Sequence, residues 1–324
     1  MNLSDLMHSG VKRKTKREVF LEQIEKIVPF ALWTKLIEPH YYVKRADGRG
    51  RPPIGIGKML RMYLLQIWFN LSDELLEDSI YESNSMQRFV GIDLMSESVP
   101  DATTLLLFRQ MLTENGLQQK MMTELTELLT KNKIMMTKGT IVDATIIQAP
   151  SSTKNEKKER DPYMKSVKKG NNWYFGCKAH IGIDKKSGLV HTVVTTPANI
   201  HDSAVAPQLT HGKEKEVYGD SGYLGIDKKI RHAKCRIVKR LSTINKITDE
   251  TKRAKAKAFE TKKCSVRATV EHAFHIIKNI FGFRRIRYRG EAKNDSLFQM
   301  LFACVNLYKL ARQGRSLFSG VHLA

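Results

Sequence analysis

Over residues 17–36, REVFLEQIEKIVPFALWTKL, apolar residues recur at three- and four-residue steps, with Val19, Phe20, Ile24, Ile27 and Val28 in register. That period marks a helix with one buried face. Residues 58–71, KMLRMYLLQIWFNL, repeat it with Trp68 and the leucines inward. Ser72 stands where a side-chain oxygen would cap the next helix, and Asp101 does the same ahead of ATTLLLFRQML. Gly116 supplies a stop before LQQKMMTELTELLTKN. The pattern predicts four to six short helices, an all-α N-terminal domain over residues 1–135. A helix-turn-helix fits such a domain, but the spacing singles out no helix as the one that enters a groove. Plain helical packing accounts for each helix taken alone.

Near residue 136 the period shortens. GTIVDATIIQAP, from Gly139, is rich in β-branched residues and almost continuously apolar, as a strand covered on both faces must be. NWYFGCKAHIGID and GLVHTVVTT follow, joined by the turn signal KKSG, and are expected to continue the sheet antiparallel. HDSAVAPQLTHG predicts a short helix ended near Pro207, KEVYGDSGYLG a fourth strand running into a turn, DKKIRHA a helix and CRIVKR a fifth strand. The fold class is therefore α/β, a mixed sheet flanked by helices over residues 136–311, with a C-terminal tail at 312–324. Residues 151–172 are polar and lysine-rich and are expected to be a mobile loop, while 242–263 form a basic, partly helical insertion.

Charge narrows the partners. The net charge is +22, and residues 228–293 alone hold 21 Lys/Arg against 5 Asp/Glu, so 21 − 5 = +16. Such a field attracts phosphate polymers. A membrane is the weaker partner, because no 18-residue apolar run exists and the start MNLSDLMHSGVKRKTK lacks a signal-peptide core. Cys177, Cys235, Cys264 and Cys304 form no CxxC pair, so they are expected to be reduced thiols in a cytoplasmic protein. The histidines His180, His191, His201, His272 and His275 share no metal-ligand spacing, which argues against zinc.

Three acids are out of place. Asp143 has Ile141, Val142, Ala144, Ile146 and Ile147 around it, and a charge in that company costs several kcal/mol, by order of magnitude, unless a cation compensates it. Asp220 leaves its strand into small residues that let a ligand approach. Glu271 is the single acid of VRATVEHAFHIIKNIFGFRRIRYRG, residues 266–290. On a regular helix Val266, Val270, Ala273, Ile277, Ile280 and Phe281 share one arc, and Arg267, Glu271, His275 and Lys278 form a separate stripe. Each acid alone has an ordinary reading: an ion-paired strand Asp, a turn Asp, a solvated i,i+4 network. Together, on first strand, fourth strand and late helix, they can meet at one sheet edge. Hard oxygen donors of this kind suit Mg²⁺ or Mn²⁺, and two such ions support in-line displacement at phosphorus.

GTIVDATIIQAPSSTKN, KAHIGIDKKSGLVHTVVTTPANIHD, YGDSGYLG and RATVEHAFHIIKNIFGFRRIRYRG closely resemble the DDE transposases of bacterial insertion sequences, in particular the insertion-sequence-five group. YLLQIWFNLSDELLEDSIYE and VPDATTLLLFRQML extend the resemblance over most of residues 15–311. It implies an RNase H-like fold and an acidic triad at Asp143, Asp220 and Glu271, which would be both catalytic and metal-binding. It also implies two divalent ions, usually Mg²⁺, cleavage at transposon ends, and joining of the freed 3′-hydroxyl to target DNA. The family's Tyr, Arg, Glu, Lys signature is met by Arg267, Glu271 and Lys278, but its Tyr position holds Cys264. Arg267, Lys278, Arg284, Arg285, Arg287 and Arg289 are then DNA-binding candidates, since Arg and Lys hold phosphate rather than act as bases. The implied partners are double-stranded DNA, as terminal inverted repeats and target, and a second copy of the chain. A non-catalytic DNA-binding derivative, or a metal-dependent nuclease of the same fold, remains the alternative.

Overall fold

The computed structural model describes residues 13–42, 53–136, 138–315 and 317. Residues 1–12 and most of the expected tail at 312–324 lie outside them. The chain divides into two compact units, one of residues 1–125 and 306–324, the other of residues 126–305.

The first unit is helical. It holds α1 (Lys16–Glu25), α2 (Phe30–Tyr41), α3 (Ile56–Phe69), α4 (Asp73–Glu82), α5 (Asn84–Val90), α6 (Ala102–Glu114) and the start of α7 (Leu117–Lys131), seven helices among the described residues where four to six were expected. The two predicted caps form: Leu75 N donates to Ser72 Oγ at 3.1 Å and Thr104 N to Asp101 Oδ1 at 2.6 Å. Each satisfies an amide left over at a helix start. Ile24, Ile27, Val28, Leu60 and Trp68 are buried as the period requires. Val19 is the exception, 39% exposed, because the buried face of α1 runs through Leu21 instead. Arg109 carries a forked ion pair to Asp73, and Gln66 donates to the same carboxylate at 2.6 Å.

The second unit is built on a six-stranded sheet: β1 (Gly139–Gln148), β2 (Lys165–Lys169), β3 (Asn172–Asp184), β4 (Val190–Pro197), β5 (Glu216–Gly219) and β6 (Lys234–Ile237). β1 lies between β3, antiparallel, and β5, parallel; β6 extends the parallel side, and β4 pairs the far edge of β3. This is the α/β mixed sheet expected from the sequence, in the RNase H-like arrangement that the resemblance implies. One face is covered by α8 (Asp202–Val205) and its 3₁₀ continuation Ala206–Leu209, where Val205, Leu209, Val217, Tyr223 and Ile226 pack with Val142. α9 (Leu241–Asn245) and α10 (Glu250–Arg267) follow β6, then α11 (Glu271–His275), and α12 (Glu291–Arg312) closes the described chain.

Three expectations need correction. The segment 151–172 is not wholly a loop: Lys165–Lys169 forms β2, paired with the first residues of β3. Residues 227–233 hold no full helix, only the 3₁₀ turn Ile226–Lys228. The late helix is not regular. Its path runs from α10 through a 3₁₀ turn at Ala268–Val270 and α11 into a π turn at Ile276–Ile280. Val270, Ala273, Ile277 and Phe281 stay buried, but the added π residue turns Ile280 outward to 45% exposure.

Candidate active site

Parallel pairing of β1 with β5 sets two of the acids side by side. The ladder ends at Ile141 opposite Tyr218, so Asp143 on β1 and Asp220 just past the end of β5 each stand two residues beyond that couple. Past Gly219 the chain leaves the sheet, which opens the edge of β1 at Asp143. Asp220 caps the turn Ser221–Tyr223, its Oδ1 accepting from Gly222 N at 2.8 Å.

Asp143 is largely buried. Its Oδ1 accepts from Ala144 N at 2.8 Å and its Oδ2 from an Arg267 guanidinium nitrogen at 2.9 Å. Burial pushes the carboxyl up to about 6; the Ala144 amide and Arg267 oppose the rise, and the charges of Asp220 and Asp202 add to it. A cation beside this carboxylate is therefore worth more here than in water.

Arg267, the last residue of α10, supplies that cation. Its second terminal nitrogen donates to Glu271 Oε1 at 2.9 Å, so one guanidinium spans Asp143 of the central strand and Glu271 at the head of α11. Glu271 is 62% exposed at its side chain. The structure thus brings Asp143 and Glu271 together through Arg267 and puts Asp220 within electrostatic reach of Asp143. Among the described residues no three His, Cys, Asp or Glu side chains are arranged to hold a metal ion. The donor set nevertheless fits a hard cation: only carboxylate oxygens are involved, one of them raised in pKa by its burial in spite of Arg267.

The basic candidates divide. Lys278 reaches the sheet, donating to Ile146 O at 3.2 Å, and burial lowers its pKa, helped by Lys169 and Arg284. Arg284 folds back, donating to Lys278 O at 3.0 Å and Asn279 Oδ1 at 2.7 Å. Arg285 forms a parallel bridge with Gln148 at the end of β1, fixed by Ile286 N to Gln148 O at 2.8 Å, and its side chain is exposed. Arg287 and Arg289 are exposed as well. Cys264, at the position of the missing Tyr, is an exposed free thiol on α10.

One acid escaped the sequence reading. Asp202, at the start of α8, accepts from Lys178 Nζ at 2.9 Å and lies 3.8 Å from His180 Nδ1. A β-carbon at Gly222 would meet Asp220 Oδ1 at 3.0 Å and Asp202 Oδ2 at 3.9 Å, so both carboxylates surround the same glycine. Lys178 and His180 are buried polar residues two apart on β3, on one face of the strand, and that pairing was the available signal. Burial holds His180 down at about 4, with the nearby Lys178 lowering it further and Asp202 opposing.

Residues 135–307, more than half of the chain, match the family described as a transposase DDE domain. Residues 9–111 match a second family, described as a transposase domain. No solved structure matches the chain.

Proposed function

The chain belongs to the DDE-domain transposases, and on that premise we propose that it cuts DNA at the ends of an insertion sequence of the insertion-sequence-five group and joins the freed 3′-hydroxyl to target DNA. The observation that carries this reading is the ion pair Asp143–Arg267–Glu271, which links a central strand to a helix 124 residues away and leaves Asp220 just past the end of the adjacent strand. Enzymes of this family use divalent metal ions. Asp143, Asp220 and Glu271 would hold them, Mg²⁺ or Mn²⁺ and two in number, and when bound such ions polarise the phosphoryl oxygens and lower the pKa of the attacking hydroxyl.

The chain's own residues do the rest. Asp143 meets a cation at little further desolvation cost, because folding has already buried it. Arg267 would turn a nitrogen toward a phosphate oxygen if a cation took its place on Asp143, a contact for which its planar fork is suited. Lys278, Arg284, Arg285, Arg287 and Arg289 line the following segment with positive charge and would follow the DNA backbone. Two ends must be brought together for joining, so the protein acts as a homodimer on DNA, with the N-terminal domain expected over residues 1–135 supplying end recognition or dimerisation and residues 136–311 the chemistry. Among the described residues no helix is long and apolar enough to cross a membrane. Placement at the nucleoid follows from the substrate.

Incubation of the purified protein with duplexes carrying the DNA that flanks its gene, in Mg²⁺, tests the reading. Nicks ending in 3′-hydroxyls and a strand-joined product are expected. Binding without cleavage would reduce the protein to a DNA-binding derivative, and cleavage without joining would make it a nuclease.

A further inference from the structure

The hairpin of β2 and β3 has no part in the chemistry above, yet it carries groups out of keeping with the rest of the sheet. β3 is paired with β1 from Gly176 onward and with β4 from Cys177 onward, whereas Asn172, Trp173 and Tyr174 have β2 as their only strand partner. The hairpin is therefore a two-stranded ribbon standing about 13 Å out from the sheet, at roughly 3.3 Å per residue. Its turn is Gly170 and Asn171, with Gly170 at φ +60° in the first central position, where glycine carries no side-chain penalty.

Lys165, Lys168 and Lys169 are exposed, and no acid lies between residues 165 and 176. Trp173 sits directly opposite Lys168 and is 70% exposed, while the other two tryptophans, Trp33 and Trp68, are 0% and 3% exposed. Lysines on an edge strand discourage pairing with another sheet. That purpose accounts for the lysines but not for an indole in water among them.

The ribbon is also fixed beside the arginine segment. Lys165, Gly176 and Gln148 form one row across β2, β3 and β1, and the bridge from Gln148 adds Arg285 to it. The row is three strand spacings, about 14 Å, from end to end. Gly290 N donates to Asp161 Oδ2 at 2.7 Å, and Arg289 reaches Arg160 O at 3.5 Å, so the arginine segment is tied to the residues that lead into β2. At the other end Lys169 is near enough to Lys278 for its charge to add to the burial that lowers the Lys278 ammonium.

We propose that the β2–β3 ribbon is a DNA-docking element that lies in a groove of the duplex, with Lys165, Lys168 and Lys169 on backbone phosphates and Trp173 against the bases. A two-stranded ribbon is of a width that the major groove admits. The ribbon's unopposed positive charge complements the phosphates, and an indole gains contact area there that it lacks in water. The inference rests on the reading of the protein as DNA-binding, but on different residues from those assigned above.

Trp173 reports on itself, because the other tryptophans are buried. In the full-length protein with EDTA, tryptophan emission is titrated with iodide before and after addition of a 30-base-pair mixed-sequence duplex, with Trp173→Phe as the blank. The iodide-accessible component, absent from the blank, is expected to disappear in the complex. Lys168→Ala/Lys169→Ala is expected to lower the salt slope of duplex binding by about two, one per lost phosphate contact, at unchanged melting temperature. Undiminished iodide access in the complex, together with a wild-type slope in the double variant, overturns the proposal and leaves the lysines as guards of an open edge. A wild-type protein that retains no duplex removes the DNA reading itself, and the ribbon's role with it.

Discussion

Asp143→Asn keeps the shape of the side chain and removes its charge, which turns the burial of Asp143 into a measurable quantity. In the folded protein this carboxyl titrates at about 6 against an ordinary 3.8. At ~1.4 kcal/mol per pH unit, keeping it ionised costs the fold about 3 kcal/mol, attraction to Arg267 already included. The folded state takes up its proton near pH 6 and the unfolded chain only near 3.8, so wild-type stability from this group rises as pH falls through that window. The cost is fully present above about pH 7 and gone below about pH 4. Asparagine has no such titration. The variant is therefore expected to be more stable than wild type at pH 8 in EDTA by up to about 3 kcal/mol, a rise of several degrees at the ~2–4 °C per kcal/mol usual for domains of 150–250 residues. At pH 4 the two should coincide. Thermal scans at both pH values, then repeated with Mg²⁺, provide the assay: Mg²⁺ should raise the melting temperature of wild type and not of the variant. A variant that melts lower than wild type at pH 8, or that gains as much from Mg²⁺, refutes the argument that this carboxylate is a buried charge awaiting a cation.

Three further outcomes follow from the same geometry. Arg267→Ala removes the guanidinium from a part-buried pair and should destabilise the metal-free protein by about 1–2 kcal/mol at pH 8, as read by urea unfolding; no loss would mean the pair contributes nothing. Arg285→Ala should weaken DNA binding and make its salt slope shallower by about one, and an unaltered slope would return Arg285 to a merely solvated face. His191 is held down at about 4 by burial, with His211 lowering it further against Glu214 and Asp184. Its unfolded form takes a proton near 6.5, so stability falls as pH drops from 6.5 toward 4, by about 3 kcal/mol in all. The stability difference between wild type and His191→Asn should shrink by that order between pH 7 and pH 4, and a constant difference would contradict the assignment.

Much of this architecture was legible because local and global preferences agree. The apolar run around Asp143 could only be a covered strand, and the caps at Ser72 and Asp101 are decided by side chains within three residues. The ribbon was illegible for the opposite reason. Lys165–Lys169 is polar throughout, and what makes it a strand is the free edge of β3, which the local sequence does not reveal. The pairing of Arg267 with Glu271 was legible because it lies within about one turn, whereas Ile280 was misassigned once the π turn had broken the constant angle per residue. Asp202 was missed since its neighbours Lys178, His180 and Gly222 come from two other segments. The bridge from Arg267 to Asp143 likewise depends on how α10 meets β1.

Soaking crystals of the protein with Mn²⁺ and end DNA, and collecting anomalous scattering at the manganese edge, addresses the catalytic assignment without reference to activity. We expect manganese peaks bounded by the carboxylates of Asp143, Asp220 and Glu271, with Arg267 swung off Asp143. Peaks elsewhere, or none while Arg267 still joins Asp143 to Glu271, would contradict it.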